Sequence, residues 1–255
     1  MKIHHLNCGL LHVPPGPQAA CHCLLLEHAG RLALVDTGIG LQDIARPTER
    51  IGQAAIEAAG VQFHESLTAA RQIESLGWNT GDVDDIVLTH ADPDHAGGLA
   101  DFPAARVHIS QEEFTQLGSE SIRYSAAQFA HGPRWHIHSA ADAGEPWFVL
   151  EARPVQLSSG ADVLLVPLFG HTLGHCGVAV RSEDRWLLHV GDAYYLRAEL
   201  ATDDHPVSQL AAMRADDDGR RRASLEELRR LAREHSAEVE LCGYHDFSEF
   251  PSQGR

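Results

Sequence analysis

The chain has 255 residues, 44 % hydrophobic and only 6 % aromatic, which allows a sizeable core built mainly from Leu, Val, Ile and Ala and argues against a disordered or collagen-like chain. Asp and Glu number 36 against 20 Lys and Arg, a formal charge of −16 that repels phosphate backbones and speaks against nucleic acid as a partner. The opening residues are too polar for a secretory leader and no apolar run approaches the roughly 20 residues that cross a bilayer, so a soluble, cytoplasmic protein with no membrane partner is expected.

In chain order, dense apolar runs predict strands over residues 2–7, 21–26 and 32–36, with His28-Ala29-Gly30 as the hairpin turn between the second and third. Asp36-Thr37-Gly38 stops the third strand. Helical spacing follows over 48–59 and 67–76, the latter closed by Gly77. A buried strand over 86–88 runs into Thr89-His90, and Gly97-Gly98 permit a tight turn into a short helix. A strand over 107–109 leads to a helix over 111–117 capped by Ser110. Residues 119–151 read as part helix and part loop and contain Trp135, His136, His138 and Trp147.

The second half again opens on strands, over 163–168, 177–180 and 186–190. Helices are predicted over 206–215 and 224–234, the second with Ser224 as cap and Glu227 completing a capping box. A last strand over 239–242 leads into Gly243-Tyr244-His245. The run from Arg214 to Arg222, four arginines against three aspartates, reads as a solvated face. No linker separates the halves and no short repeat occurs, so residues 1–255 are expected to form a single domain.

Five cysteines, Cys8, Cys21, Cys23, Cys176 and Cys242, have no ribbon or redox spacing and read as reduced and buried. Histidine is abundant at 18 residues. His4, His5, His12, His28, His64, His205 and His235 sit among polar residues with no partner at ligand spacing, and the informative ones are those clustered with aspartate.

The densest cluster is Thr89-His90-Ala91-Asp92-Pro93-Asp94-His95-Ala96-Gly97-Gly98. Extended residues two apart project to one side, so His90 and Asp92 can reach one point, while Pro93 and the glycines turn Asp94 and His95 towards another. A polar loop capping a helix is the bland reading, but four ligand-type groups in six residues after a buried strand exceed what a core needs. Gly170-His171-Thr172-Leu173-Gly174-His175, Gly191-Asp192 and Tyr244-His245-Asp246 repeat the same grammar of apolar strand, turn and ligand.

This ordered set resembles the metallo-β-lactamase superfamily, whose hallmark is a His-x-His-x-Asp-His loop, then Gly-His-Thr, then Gly-Asp, then a final histidine. The resemblance runs from Asp36-Thr37-Gly38 to His245. It implies an α/β fold, a four-layer αββα sandwich, and two divalent metal ions, zinc first, at one edge between the sheets. His90, Asp92 and His171 would hold the first ion, Asp94, His95 and His245 the second, and Asp192 would bridge them. His175 is expected to play a supporting role rather than act as a ligand.

One departure stands out: Asp92 occupies the place of the second histidine. An anionic oxygen there opens the site to iron or manganese as well as zinc. The closest-looking branch is that of N-acyl-homoserine lactonases, in which a tyrosine follows the bridging Asp by three residues; Tyr195 has that offset, with core packing as its bland alternative. The implied activity is hydrolysis of an ester-like bond in a small-molecule substrate, a lactone first, by a bridging hydroxide of the dinuclear centre. Asp94 would shuttle the proton and Tyr195 assist the oxyanion. Residues 123–148, with Tyr124, Phe129, Trp135 and Trp147, are a candidate lid, with simple packing of those aromatic rings as the equal alternative.

Phosphodiester hydrolysis would need a cation beside the motifs, where only Arg197 is visible. Thioester hydrolysis shares the Gly-His-Thr-x-Gly-His loop. A diiron oxidoreductase would need electrons from a flavin, and with about ten residues after His245 that flavin is expected on a separate partner chain. A silent metal-binding protein is the remaining class.

Overall fold

The computed structural model describes residues 1–14, 16–119, 123–142 and 146–251. Seven strands form the first sheet: β1 (Lys2–His12), β2 (Gln18–His28), β3 (Arg31–Val35), β4 (Val61–Gln62), β5 (Val83–Val87), β6 (Arg106–Ser110) and β7 (Arg134–His138). Their order is β4-β1-β2-β3-β5-β6-β7. Five form the second: β8 (Arg153–Gln156), β9 (Asp162–Pro167), β10 (Cys176–Ser182), β11 (Arg185–His189) and β12 (Val239–Cys242), ordered β12-β11-β10-β9-β8.

Strand β2 shows why the sheets stack. Side chains alternate between faces, and here both faces are covered. Cys21, Cys23 and Leu25 enter a core with Ile73, Leu99 and Phe102 under the helices of the first half. Leu24 and Leu26 enter a second core with Val163, Leu165, Cys176 and Val178 of the other sheet. A third core packs Leu188, Val190 and Leu241 against Leu225, Leu228 and Leu231 of the helix Asp218–Glu234. The layers are therefore helix, sheet, sheet, helix, as the resemblance implied.

The β2–β3 hairpin closes as expected. Ala29 and Gly30 both take positive φ, 51° and 72°, the pair a two-residue turn of this kind requires. Ser110 caps the helix Gln111–Leu117 by accepting from the Glu113 amide at 3.0 Å. Gly77, at φ 90°, ends the helix Ala69–Ser75.

Several boundaries differ from the sequence expectation. The helix over 48–59 is two, Pro47–Arg50 and Gln53–Ala59, broken where Gly52 takes a φ of 92°. The last long helix starts six residues early, at Asp218, because the Asp217 side chain accepts from the Arg220 amide and caps it. Ser224 instead donates to the Phe169 carbonyl. The run from Arg214 to Arg222 is not wholly solvated, since Arg221 is buried against Asp218. All five cysteines are buried and none is in a disulfide. Among the described residues no helix is long and apolar enough to cross a membrane.

Candidate metal centre

Each predicted ligand follows a strand or strand end on one rim of the two sheets. His90, Asp92, Asp94 and His95 follow β5, His171 follows β9, Asp192 follows β11 and His245 follows β12. The seven side chains meet. One ligand atom each from His90, Asp92 and His171 lie within 4.8 Å of one another, as do those of His90, His95 and Asp192, and those of Asp94, His95 and His245. Asp192 joins the halves: its Oδ1 is 3.2 Å from His95 Nε2, and its Oδ2 is 3.4 Å from His171 Nε2 and 3.3 Å from His245 Nε2. Donor atoms on one tetrahedral ion, with bonds of about 2.0–2.2 Å, stand roughly 3.3 Å apart.

The donor set also fits a cation by what it lacks. His90 Nε2, His95 Nε2 and Asp192 Oδ1 are buried without a hydrogen-bond partner, although His95 and Asp192 are close. Buried lone pairs facing one another are costly unless something positive is shared between them.

The outer nitrogens are fixed from behind. His95 Nδ1 donates to Asp36 at 2.8 Å, and His245 Nδ1 donates to the Ala20 carbonyl at 2.8 Å. Carboxylates and carbonyls only accept, so both imidazoles turn Nε2 towards the centre. Asp36 also accepts from the amide and hydroxyl of Thr89, each at 2.8 Å. His175 is not in the cluster: its Nδ1 meets the Leu168 carbonyl at 2.9 Å and its Nε2 accepts from the Asp192 amide at 2.9 Å. It holds the backbone that presents Asp192.

Burial raises the Asp192 carboxyl, but His245, His95 and His171 outweigh it and hold the group well below its ordinary value. Burial likewise works against charge on His95, and the carboxylates of Asp192, Asp36 and Asp94 reverse it. Tyr195 is 9 % exposed, with its ring 5.9 Å from that of His171 and 5.3 Å from that of His245. Burial, with Asp192 and Asp92, pushes its phenol far above the ordinary value, so it stays protonated.

Sequence reasoning missed Arg123. Its Nε and Nη2 donate to the two oxygens of Asp92 at 2.6 and 2.7 Å, and Nη2 also lies 2.7 Å from His171 Nε2. The cation beside the motifs is thus Arg123, whereas Arg197 is turned to Glu249 at 3.1 Å. Glu113 was missed as well: it accepts from the Ala91 amide, the Tyr124 hydroxyl and the Thr172 hydroxyl, tying the two histidine loops together. Gly174 is required there, because a Cβ would collide with the Glu113 backbone.

The lid residues are largely packing. Phe129 and Trp135 lie against the first core and Trp147 belongs to the third, while Tyr124 reaches Glu113. Residues 143–145 of that segment lie outside the described residues. His5 is not without partners either, since its Nδ1 is 2.8 Å from His22 Nε2 and both stand near Cys242. His5 and Cys242 border a cavity of about 530 Å³ that none of the seven central groups lines.

The chain belongs to the metallo-beta-lactamase superfamily, whose family profile matches residues 16–239. Among curated relatives it is 46 % identical over 208 residues to a probable metallo-hydrolase of Mycobacterium tuberculosis, Rv2300c, covering 78 % of this chain but 64 % of the relative. It therefore spans less than two thirds of that relative's length. It is 27 % identical over 238 residues to the N-acyl homoserine lactonase AiiB of Agrobacterium fabrum, covering 89 % of this chain and 80 % of the relative.

The fold is shared with a variant of AiiA from B. thuringiensis with N-decanoyl-L-homoserine bound at its active site (TM-score 0.70, 19 % identity, 97 % of this chain and 94 % of that one). It is also shared with a probable metal-dependent hydrolase from Staphylococcus aureus (TM-score 0.70, 17 % identity, 96 % of this chain and 89 % of that one).

Proposed function

We propose that this protein is a metal-dependent hydrolase that opens an ester-like bond, a lactone first among candidates, at a centre of two divalent ions. The observation that carries the reading is the meeting of seven imidazole and carboxylate groups, three of whose buried donor atoms, His90 Nε2, His95 Nε2 and Asp192 Oδ1, have no hydrogen-bond partner. In this reading His90, Asp92 and His171 would hold one ion and Asp94, His95 and His245 the other, with Asp192 placed to serve both. When bound, the ions supply Lewis-acid polarisation of the carbonyl and a water acidic enough to attack near neutral pH.

The chain's own residues do the remaining work. Tyr195, protonated and beside the rings of His171 and His245, donates a hydrogen bond to the developing oxyanion or the leaving oxygen. Asp94 has a side chain 20 % exposed, the most open of the three acids, and accepts the proton and returns it to the leaving alkoxide. Arg123 positions Asp92 and offsets the negative charge that an aspartate adds in place of a histidine. The lactone preference is supported by the relationship to AiiB and the shared fold with AiiA. Against a phosphodiester substrate, the Arg123 guanidinium is engaged by Asp92 and Asp216 rather than turned to an incoming phosphate. Buried cysteines without disulfides support a reducing compartment, the cytoplasm.

The test is elemental analysis of the purified protein with a panel of lactones, open-chain esters, thioesters and phosphodiesters. Two equivalents of zinc, iron or manganese and turnover led by lactones are expected. Protein that binds no metal overturns the centre, and turnover led by phosphodiesters or thioesters overturns the substrate class.

A further inference from the structure

The open edge of the first sheet carries a second group of imidazoles that the proposed reaction does not use. His108 on β6 and His136 on β7 are register partners, and His138 lies two residues further along β7. Residues two apart on a strand share a face. The three rings accordingly cluster, with centroids 5.0, 5.2 and 5.1 Å apart. One nitrogen of each lies within 4.8 Å of the others.

The group is built from behind as a ligand set is. His108 Nε2 is 3.0 Å from Asp85 Oδ1, and that buried carboxylate is itself held by Arg106 Nε and the Ser158 amide, each at 2.7 Å. A carboxylate only accepts, so His108 carries its proton on Nε2 and turns the Nδ1 lone pair outward, 3.0 Å from His138 Nε2. A carboxylate behind an imidazole fixes tautomer and orientation in the way metal-binding histidines require. Burial holds His108 below its ordinary value against the pull of Asp85, so the ring is neutral near pH 7. His108 and His138 are buried whereas His136 is exposed, which leaves one side open to solvent.

We propose that His108, His136 and His138 bind one divalent ion of the zinc type, with Asp85 orienting His108. Three imidazole nitrogens favour zinc, nickel or copper over magnesium or calcium. The ion replaces the hydrogen between His108 and His138, so His138 then carries its proton on Nδ1, and water takes the fourth position. It would clip β7, which lies at the edge of its sheet, to β6. An exposed edge strand is otherwise the part of a sheet most open to fraying or mispairing.

The experiment is equilibrium dialysis of the full-length, metal-loaded protein against buffered free zinc, with zinc read by elemental analysis. His136→Ala should hold one equivalent fewer than the wild type while its hydrolytic turnover is unchanged. His136 is exposed, so that variant should fold. The readout is a difference between two proteins, independent of how many ions the central group holds and of which bond is hydrolysed. Equal zinc content in the two overturns the site. Asp85→Asn, checked for folding by circular dichroism, should weaken binding of that equivalent by about 10–100-fold, and an unchanged affinity overturns the orienting role.

Discussion

Replacing Arg123 by methionine separates what the guanidinium does from what a metal ion would do at the same carboxylate. The side chains of Arg123 and Asp92 are 18 % and 15 % exposed, and they pair through two hydrogen bonds of 2.6 and 2.7 Å. Two unit charges about 4 Å apart attract by about 4 kcal/mol at an effective dielectric near 20. Removing one partner of a fully buried pair costs about 3–5 kcal/mol. The remaining exposure of this pair reduces that to roughly 2–3 kcal/mol, or on the order of 4–12 °C in melting temperature for a chain of this size.

The loss should appear in full only without metal, when Asp92 is left as a half-buried charge with only the His171 and His90 rings, at 3.2 and 3.4 Å, beside it. With an ion on Asp92, the deficit should fall to less than half. Arg123 also bonds the Arg214 carbonyl at 2.8 Å and Asp216 at 3.1 Å, and that part of the loss is common to both states. The assay is therefore thermal and urea unfolding of both proteins, in chelator and in zinc. Equal losses in the two states would refute the reasoning and make Arg123 a strut between segments.

Tyr195→Phe should lower kcat by about 10²-fold with little change in KM or melting temperature, as for loss of a donor used in the transition state; unchanged kcat would return the ring to packing. His90→Ala and Asp192→Ala should lose activity together with metal content, whereas His175→Ala, which removes the acceptor of the Asp192 amide, should mainly cost about 1–3 kcal/mol of stability. Normal turnover in either of the first two would disprove the ligand assignment.

For pH, burial pulls His5 down to about 4, His175 to about 3 and His22 to about 2. Unfolded histidine titrates near 6.5, so below that value the unfolded chain binds more protons and stability falls with pH, by about 1.4 kcal/mol per pH unit for each group. The three histidines outnumber Asp101, whose carboxyl burial raises to about 6 and which works the other way, so stability should decline below about pH 6.5, before ordinary carboxylates titrate; a melting temperature flat down to about pH 4.5 would contradict this.

The ligands were legible because each lies beside a local signal. An apolar strand, a turn and a polar residue can be read within ten positions, as in Ile86 to His95 or Val239 to His245. Apart from His175, their supports were not, because those come from far along the chain. Asp36 meets Thr89 and His95 at separations of 53 and 59 residues, and Arg123 meets Asp92 from a stretch without apolar periodicity.

Strands β7 and β8 were missed for a related reason. β7 is exposed at three of its five positions, and β8 is an edge strand of four residues that includes Pro154. The early start of the last helix was hidden by Asp216-Asp217-Asp218-Gly219, which reads as loop until Asp217 is seen to be the cap.

What holds the centre in shape is backbone rather than the ions it would carry. The Cys176 amide of the second sheet donates to the Thr89 carbonyl, one residue before His90, at 2.9 Å. On the opposite side Ala20 donates to the His245 carbonyl at 3.1 Å and His22 to the Tyr244 carbonyl at 3.0 Å. Tyr244 then stacks on His95, ring centroids 3.7 Å apart, and donates to the Asp94 carbonyl.

These bonds cross from one sheet to the other at the rim, and three hydrophobic cores lie behind them. A small zinc domain without such cores unfolds when its metal is removed. Here chelation should leave the far-ultraviolet circular dichroism unchanged and lower stability only by the binding term, about 2.7 kcal/mol for each ion bound at a metal concentration 100 times its Kd. Loss of secondary structure in chelator at 25 °C would mean that the ions, and not the rim, bring the two sheets together.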